Sequence, residues 1–296
     1  MCHANTLVSV GLPVRNGAER MESAVMSVLN QDHANMELVI CDNASTDGTE
    51  DLCRSLAAQD SRIVYHRHPQ NVGLFNNFLS VLRMANGTFF RWLGDDDWLA
   101  PHCVSRGLDA FAADDRLILV TSHVEFTGPD NVTQIAEYDG TALGSDDPVT
   151  RFTEMLRLLN EGLPLVDALY GLARRETVLR IARRNMLRED EVFASKLALA
   201  GPWGHVPELL ARREWKPDRL STLARKLDVP SWQVHFATTL QCREMLRWLA
   251  ECDLDEQQRR RARLAVARMY ARRQQIVVAR RSRKLVRIAR ELVPGA

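Results

Sequence analysis

The chain has 296 residues, 46% hydrophobic and 26% charged, with a net charge of +1. That balance excludes disorder over the whole length and suits one large α/β domain with a smaller appended piece. Six scattered cysteines, none at a C-x-x-C spacing, argue against a thiolate zinc site.

No basic segment precedes an apolar one at the start, and no uncharged apolar stretch reaches the ~18 residues of a membrane span. The expectation is a cytoplasmic protein with reduced thiols. The charge is uneven. After Glu256 there are thirteen Arg or Lys residues and only Glu291 against them, so the tail carries +12 and the rest −11.

Leu7 to Pro13 predicts a buried strand, and Ala18 to Gln31 has helical spacing. A strand at Glu37 to Cys41 leads into a helix from Asp47-Gly-Thr49 to about Gln59, with Ser45, Thr46 and Asp47 as caps. Then come a strand at Arg62 to His66, a helix at Asn71 to Met84, a strand at Phe89 to Leu93, a helix at Pro101 to Ala112 and a strand from Leu117 to Phe126. Residues 128 to 147 read as a long polar loop. Helix returns at Val149 to Leu159, a strand is expected within Asp167 to Ala173, and a helix runs from the acidic Arg188 to Glu191 stretch to Ala200. His205 to Ala211 looks extended, and Trp232 onward is helical. Strands alternating with helices of this length predict a mostly parallel sheet with helices on both faces, whose ligands bind at the carboxyl ends of the strands.

Asp42 and Asn43 fall at one such end, and Asp95, Asp96 and Asp97 at another. Three adjacent carboxylates repel unless something neutralises them. A hard divalent cation does so, usually with one or two carboxylates plus substrate phosphates. The other reading is a solvated acidic turn, which the apolar flanks Phe89 to Leu93 and Trp98-Leu99 disfavour. Asp42 reads either as a turn and helix cap or as a contact to a base or ribose. Glu189-Asp190 reads either as an acidic first helical turn or as a catalytic pair. His205 reads either as a catalytic or phosphate-binding residue or, preferably, as a surface or structural histidine.

Four segments together resemble the inverting GT-A glycosyltransferases of family 2. These are Val8 to Gly17, Leu38 to Thr49, Asn71-Val-Gly73, and Trp92-Leu-Gly-Asp-Asp-Asp-Trp-Leu-Ala-Pro101, in that order over about the first hundred residues. The likeness extends more weakly through Leu169 to Leu172 and Glu189-Asp190 to Val206 to Leu209. It leaves out the tail, so residues 1–228 are expected as the GT-A (Rossmann-like) domain and 229–296 as a basic helical extension.

The resemblance implies a nucleotide-sugar donor, a UDP-sugar first, an Mn²⁺ or Mg²⁺ ion, and single displacement with inversion onto a glycan or lipid-linked acceptor. It puts Pro13, Val14, Arg15, Asn16 and Asp42 around base and ribose, with Asn71 and Gly73 lining the nucleotide pocket. Asp95 and Asp96 go on the donor, Asp97 on the metal, and Glu189 or, preferably, Asp190 on the general base. The chain departs from the commonest pattern twice: Cys41 precedes Asp42 where a second aspartate is usual, and Gly94 replaces the first aspartate of the metal motif.

In the tail, Leu285, Ile288, Ala289 and Leu292 keep helical spacing amid arginines, a pattern that can lie on an anionic membrane surface. Packing on the acidic body and assembly of copies are the alternatives. Nucleic acid is not expected as a partner, since no aromatic or motif signal accompanies the charge. Two other functions remain open from sequence: a metal-dependent nucleotidyltransferase and a non-catalytic nucleotide-sugar-binding subunit.

Overall fold

The first strand, Val8–Val14 (β1), is buried at every position, so it has no solvated face to mark with polar residues. In this computed structural model residues 5–128, 130–161, 166–214 and 218–292 are described, with side chains as far as 279. The elements that follow are Met21–Leu29 (α1), Met36–Asp42 (β2), Thr49–Gln59 (α2), Ile63–Arg67 (β3), Leu74–Met84 (α3) and Phe89–Trp92 (β4). Next are Trp98–Leu99 (β5), Cys103–Ala113 (α4), Leu119–Thr127 (β6), Thr133–Ala136 (β7) and Pro148–Leu158 (α5). Then come Leu172–Arg174 (β8), Arg175–Arg180 (α6), Glu189–Ala200 (α7) and Trp203–Glu214 (β9). Leu220–Lys226 (α8), Gln233–Glu251 (α9) and Glu256–Leu292 (α10) complete the chain.

The sheet runs β3-β2-β1-β4-β8-β6-β9-β5, with β7 paired to β6. The strands β3, β2, β1 and β4 are parallel. Chain order reverses at β1, whose neighbours are β2 on one side and β4 on the other, so a crevice opens at their carboxyl ends. Beyond β4 the pairing mixes, with β8 antiparallel to β4 and β6, and β9 parallel to β6. Helices α1, α2 and α4 pack an apolar cluster on one face of the sheet, and α3, α5 and α7 pack another on the opposite face. The expected α/β fold with helices on both faces is what forms.

Three local expectations are corrected. Residues 133–136, expected as loop, form β7 and pair with β6. The expected strand at 167–173 shrinks to Leu172–Arg174. The extended stretch at 205–211 is part of a twelve-residue strand, β9. All three depend on β6, which supplies ladder partners to each, and partners distant in sequence leave little trace in local periodicity.

The helices after residue 229 share a core with the preceding body. Cys242, Met245 and Leu249 of α9 and Ala262, Ala265, Val266 and Met269 of α10 pack with Val149, Phe152 and Leu156 of α5 and Val192 of α7. The apolar stripe at 285, 288, 289 and 292 lies on side chains outside the described residues. Among the described residues, no helix is long and apolar enough to cross a membrane. The described cysteines, Cys41, Cys53, Cys103, Cys242 and Cys252, are free thiols.

Candidate active site

At the carboxyl ends of β1, β2 and β4 a cavity of about 1460 Å³ opens, large enough for a nucleotide-sized ligand and more. Its rim is built by loops stitched to one another. Asn16, in the left-handed region at φ 54, accepts from the Thr46 amide through Oδ1 at 2.9 Å and donates its own amide to Ser45 Oγ at 2.9 Å. The Asn71-Val-Gly73 segment has a similar logic. Asn43 Oδ1 accepts from the Val72 amide at 2.7 Å, Asn71 Oδ1 accepts from the Gly73 amide at 3.0 Å, and Gly73 takes φ 85 to enter α3. Only glycine adopts that conformation without steric cost, which is the physical content of the short motif.

Of the residues expected on the donor, Pro13, Arg15, Asn16, Asn71, Gly73, Asp95 and Asp96 line the cavity. Val14 and Asp42 stand behind its wall, 2% and 0% exposed. Asp42 spends its oxygens internally: Oδ1 accepts from the Ser45 amide at 2.8 Å, and Oδ2 accepts from Tyr65 Oη at 3.0 Å with Arg67 Nε at 3.4 Å. Cys41 faces the other way, among Val39, Val81 and Phe90. A second aspartate there would put a charge into an apolar core.

The aspartate run is divided by its surroundings. Asp95 Oδ2 receives Arg20 Nη2. Burial raises the Asp95 pKa, against the Arg20 contact. Asp97 is 3% exposed. Its Oδ2 accepts from the Gly94 amide at 2.9 Å and from Arg213 Nε at 3.1 Å, while its Oδ1 is buried with no partner. A Cβ at Gly94 would sit 2.7 Å from Asp97 Oδ2 and 3.3 Å from Asp96 Oδ1. The glycine therefore leaves room for two carboxylates to converge on its own position.

The metal test turns on these two. Among the described residues, no group of three or more His, Cys, Asp or Glu side chains could hold a metal ion. A Mg²⁺-type ion needs only one or two carboxylates when substrate phosphates complete its shell. Asp96 at the cavity surface and the unpartnered Oδ1 of Asp97 fit that requirement.

Opposite lies α7. Arg188 precedes it in the left-handed region at φ 63, so the helix starts abruptly and its first turn presents Glu189, Asp190 and Glu191. Asp190 and Glu191 line the cavity, whereas Glu189 does not. Glu189 is held bidentately by Arg183, at 2.6 Å from Nε and 2.5 Å from Nη2. The Arg183 guanidinium lies 4.3 Å from the Phe193 ring centroid and 5.2 Å from that of Trp92. Asp190 is exposed to the cavity, and the protein packed around it, with Glu191 and Glu189 beside it, pushes its pKa up to about 6. Of the two candidate bases, Asp190 has the access.

The lining residues that the sequence did not mark for the site include Arg20, Asp167, Tyr170 and Arg213. Arg213 of β9 pairs with Asp97 and with Asp167, and its guanidinium stacks 3.5 Å from the Tyr170 ring centroid. Nothing local marks these residues, since β9 brings Arg213 beside an aspartate 116 positions away. His205 does not line the cavity; its Nδ1 lies 2.9 Å from Thr121 Oγ1, and burial with His123 nearby lowers its pKa to about 4.

This fold, with its cavity at the switch point lined by acids from the loop after β4 and from α7, is matched by a sequence family. The family model of Glycosyl transferase family 2 covers residues 9–178, more than half of the chain, and the chain belongs to that family. Abequosyltransferase RfbV of Salmonella typhimurium is 38% identical over 97 residues, which are 32% of this chain and 29% of that protein. The match thus spans less than a third of that relative's length.

Among solved structures, S. aureus TarS 1-349 in complex with UDP-GlcNAc aligns at a TM-score of 0.63 and 14% identity, over 89% of this chain and 72% of that one. Mannosyltransferase PcManGT from Pyrobaculum calidifontis, in complex with GDP-Man and Mn²⁺, aligns at 0.52 and 16%, over 88% and 73%. At these identities the structures speak for the shared GT-A fold.

Proposed function

We propose that this chain transfers a sugar from a nucleotide-diphosphate donor, a UDP-sugar, to a hydroxyl of a glycan or lipid-linked acceptor, with inversion. The carrying observation is that one cavity is lined by Asp95 and Asp96, from the loop after β4, and by Asp190, from the first turn of α7. The UDP-GlcNAc held by TarS supports the choice of nucleotide.

The Pro13 to Asn16 edge and the Asn71 to Gly73 loop offer the nucleotide a rim of backbone and amide groups. Asp96 and Asp97 would hold the Mn²⁺ or Mg²⁺ ion, which when bound absorbs charge developing on the leaving diphosphate. An acceptor hydroxyl attacks the anomeric carbon from the face opposite the diphosphate. Its proton must leave as the new bond forms, and Asp190 Oδ takes it. A pKa of about 6 keeps Asp190 ionised at neutral pH while leaving it a stronger base than an ordinary carboxylate.

Titration calorimetry of the full chain with UDP, with and without Mn²⁺, tests the donor half. Binding is expected, weakened in Asp96→Ala and kept in Asp190→Asn. With a nucleotide sugar that is turned over, Asp190→Asn should lose transfer, and the released product should be UDP. Full transfer by Asp190→Asn, or release of pyrophosphate, would overturn the reading.

A further inference from the structure

The C-terminal helix α10 reaches the wall that carries the proposed base. Arg273, 9% exposed, is held by four hydrogen bonds. Its Nε donates to Asn160 Oδ1 at 3.0 Å, Nη1 to Gln241 Oε1 at 2.7 Å, and Nη2 to the Leu159 carbonyl at 2.7 Å and to Glu191 Oε2 at 2.5 Å. Glu191 is gripped from two further sides. Gln241 Nε2 of α9 donates to its Oε2 at 2.9 Å, and Arg188 Nη1 donates to its Oε1 at 2.5 Å.

Glu191 adjoins Asp190 in the first turn of α7, and both line the cavity. Asn160 and Leu159 follow α5, whose Met155 and Leu158 line the same cavity. An arginine this buried and fully engaged does more than cap a surface acid. It ties α5, α7 and α9 to α10 at one point beside the site.

We propose that α10 is part of the catalytic wall, and that Arg273 acts as a positioning residue: by holding and neutralising Glu191 it sets the orientation and electrostatic surroundings of Asp190. The inference rests on the reading of Asp190 as the base. It makes the region after residue 229 necessary to the site, whatever its last residues contact.

The charged groups around Asp190 are Glu189 and Glu191 on its own helix, Asp167 ahead of β8, and, behind Glu191, Arg188 and Arg273. Removing the Glu191 charge should ease ionisation of Asp190. Removing Arg273 takes away one of the two cations on Glu191, leaving Arg188, and should hinder it. A merely structural role would not produce shifts of opposite sign.

The test is a carbon-13 NMR titration of the full chain labelled at aspartate carboxyls, with the Asp190 resonance assigned by its loss in Asp190→Asn. Glu191→Gln is expected to lower the Asp190 midpoint and Arg273→Gln to raise it, each by about half a pH unit or more. Circular dichroism checks that each variant is folded. If Arg273→Gln fails to fold, Arg273→Lys takes its place: it keeps a charge but loses the fork that grips Glu191, and it is expected to raise the Asp190 midpoint, an unchanged midpoint overturning the proposal. Midpoints within about 0.2 unit of the parent, or shifts of one sign in both variants, would overturn the proposal. Should Asp190→Asn retain transfer while the opposed shifts occur, the base assignment fails and the coupling stands. If Asp190→Asn is inactive without those shifts, only the coupling fails.

Discussion

Replacing Arg183 by Met isolates what holds the first turn of α7 in place. The guanidinium and the Glu189 carboxylate are 5% and 9% exposed and make two parallel hydrogen bonds. Met keeps much of the aliphatic stem against Phe193 and Trp92 but strands Glu189 as a buried carboxylate. Breaking such a pair by removing one partner costs about 3–5 kcal/mol. At about 2–4 °C per kcal/mol for a chain of this size, the melting temperature should fall by roughly 6–20 °C. Glu189→Leu should cost a comparable amount, because it strands Arg183, whose Nη1 already lacks a partner. The double variant removes both charges and should recover much of the loss, giving a coupling of about 3 kcal/mol. Urea unfolding followed by tryptophan fluorescence measures all four corners of the cycle. Additive losses would refute the account of Glu189 as a structural acid. So would a Glu189→Gln protein of parent stability and UDP affinity that loses all transfer, since Glu189 would then act on the substrate itself.

Turnover should have an acidic limb set by Asp190. The base works as the carboxylate, so below a pKa of about 6 kcat should drop about tenfold per pH unit and be flat just above it, as initial rates between pH 4.5 and 8 would show. Restoring the commoner aspartate by Gly94→Asp should destabilise the fold and weaken UDP binding, because its Cβ would lie 2.7 Å from Asp97 Oδ2; thermal melts and calorimetry read both. Tyr65→Phe, which removes one hydrogen bond to fully buried Asp42, should cost about 1 kcal/mol and leave UDP affinity nearly unchanged. A large loss of affinity instead would make Asp42 a direct donor contact.

The α/β alternation, the strand ends and most helices could be read along the chain because they depend on local patterns. β1 and β2 are mostly apolar runs that lead into polar residues, Arg15-Asn16 and Asp42-Asn43, and Asn71-Val-Gly73 encodes a left-handed turn that needs its glycine. Strand ends pointed to Asp95 and Asp96, and the family resemblance to Asp190; the three share one cavity. Tertiary structure decided which acids meet solvent. Asp97 and Glu189 look equivalent to their neighbours in sequence, yet Arg213 takes one oxygen of Asp97 and Arg183 takes both of Glu189, and each contact depends on how distant elements pack. It also decided the place of the helices after 229. Composition shows a basic tail, whereas the buried hydrogen bonds of Arg273 join that tail to the wall carrying Asp190. A hydrogen-bond partner contributed by another helix leaves no mark in periodicity or charge, so only the folded chain reveals it.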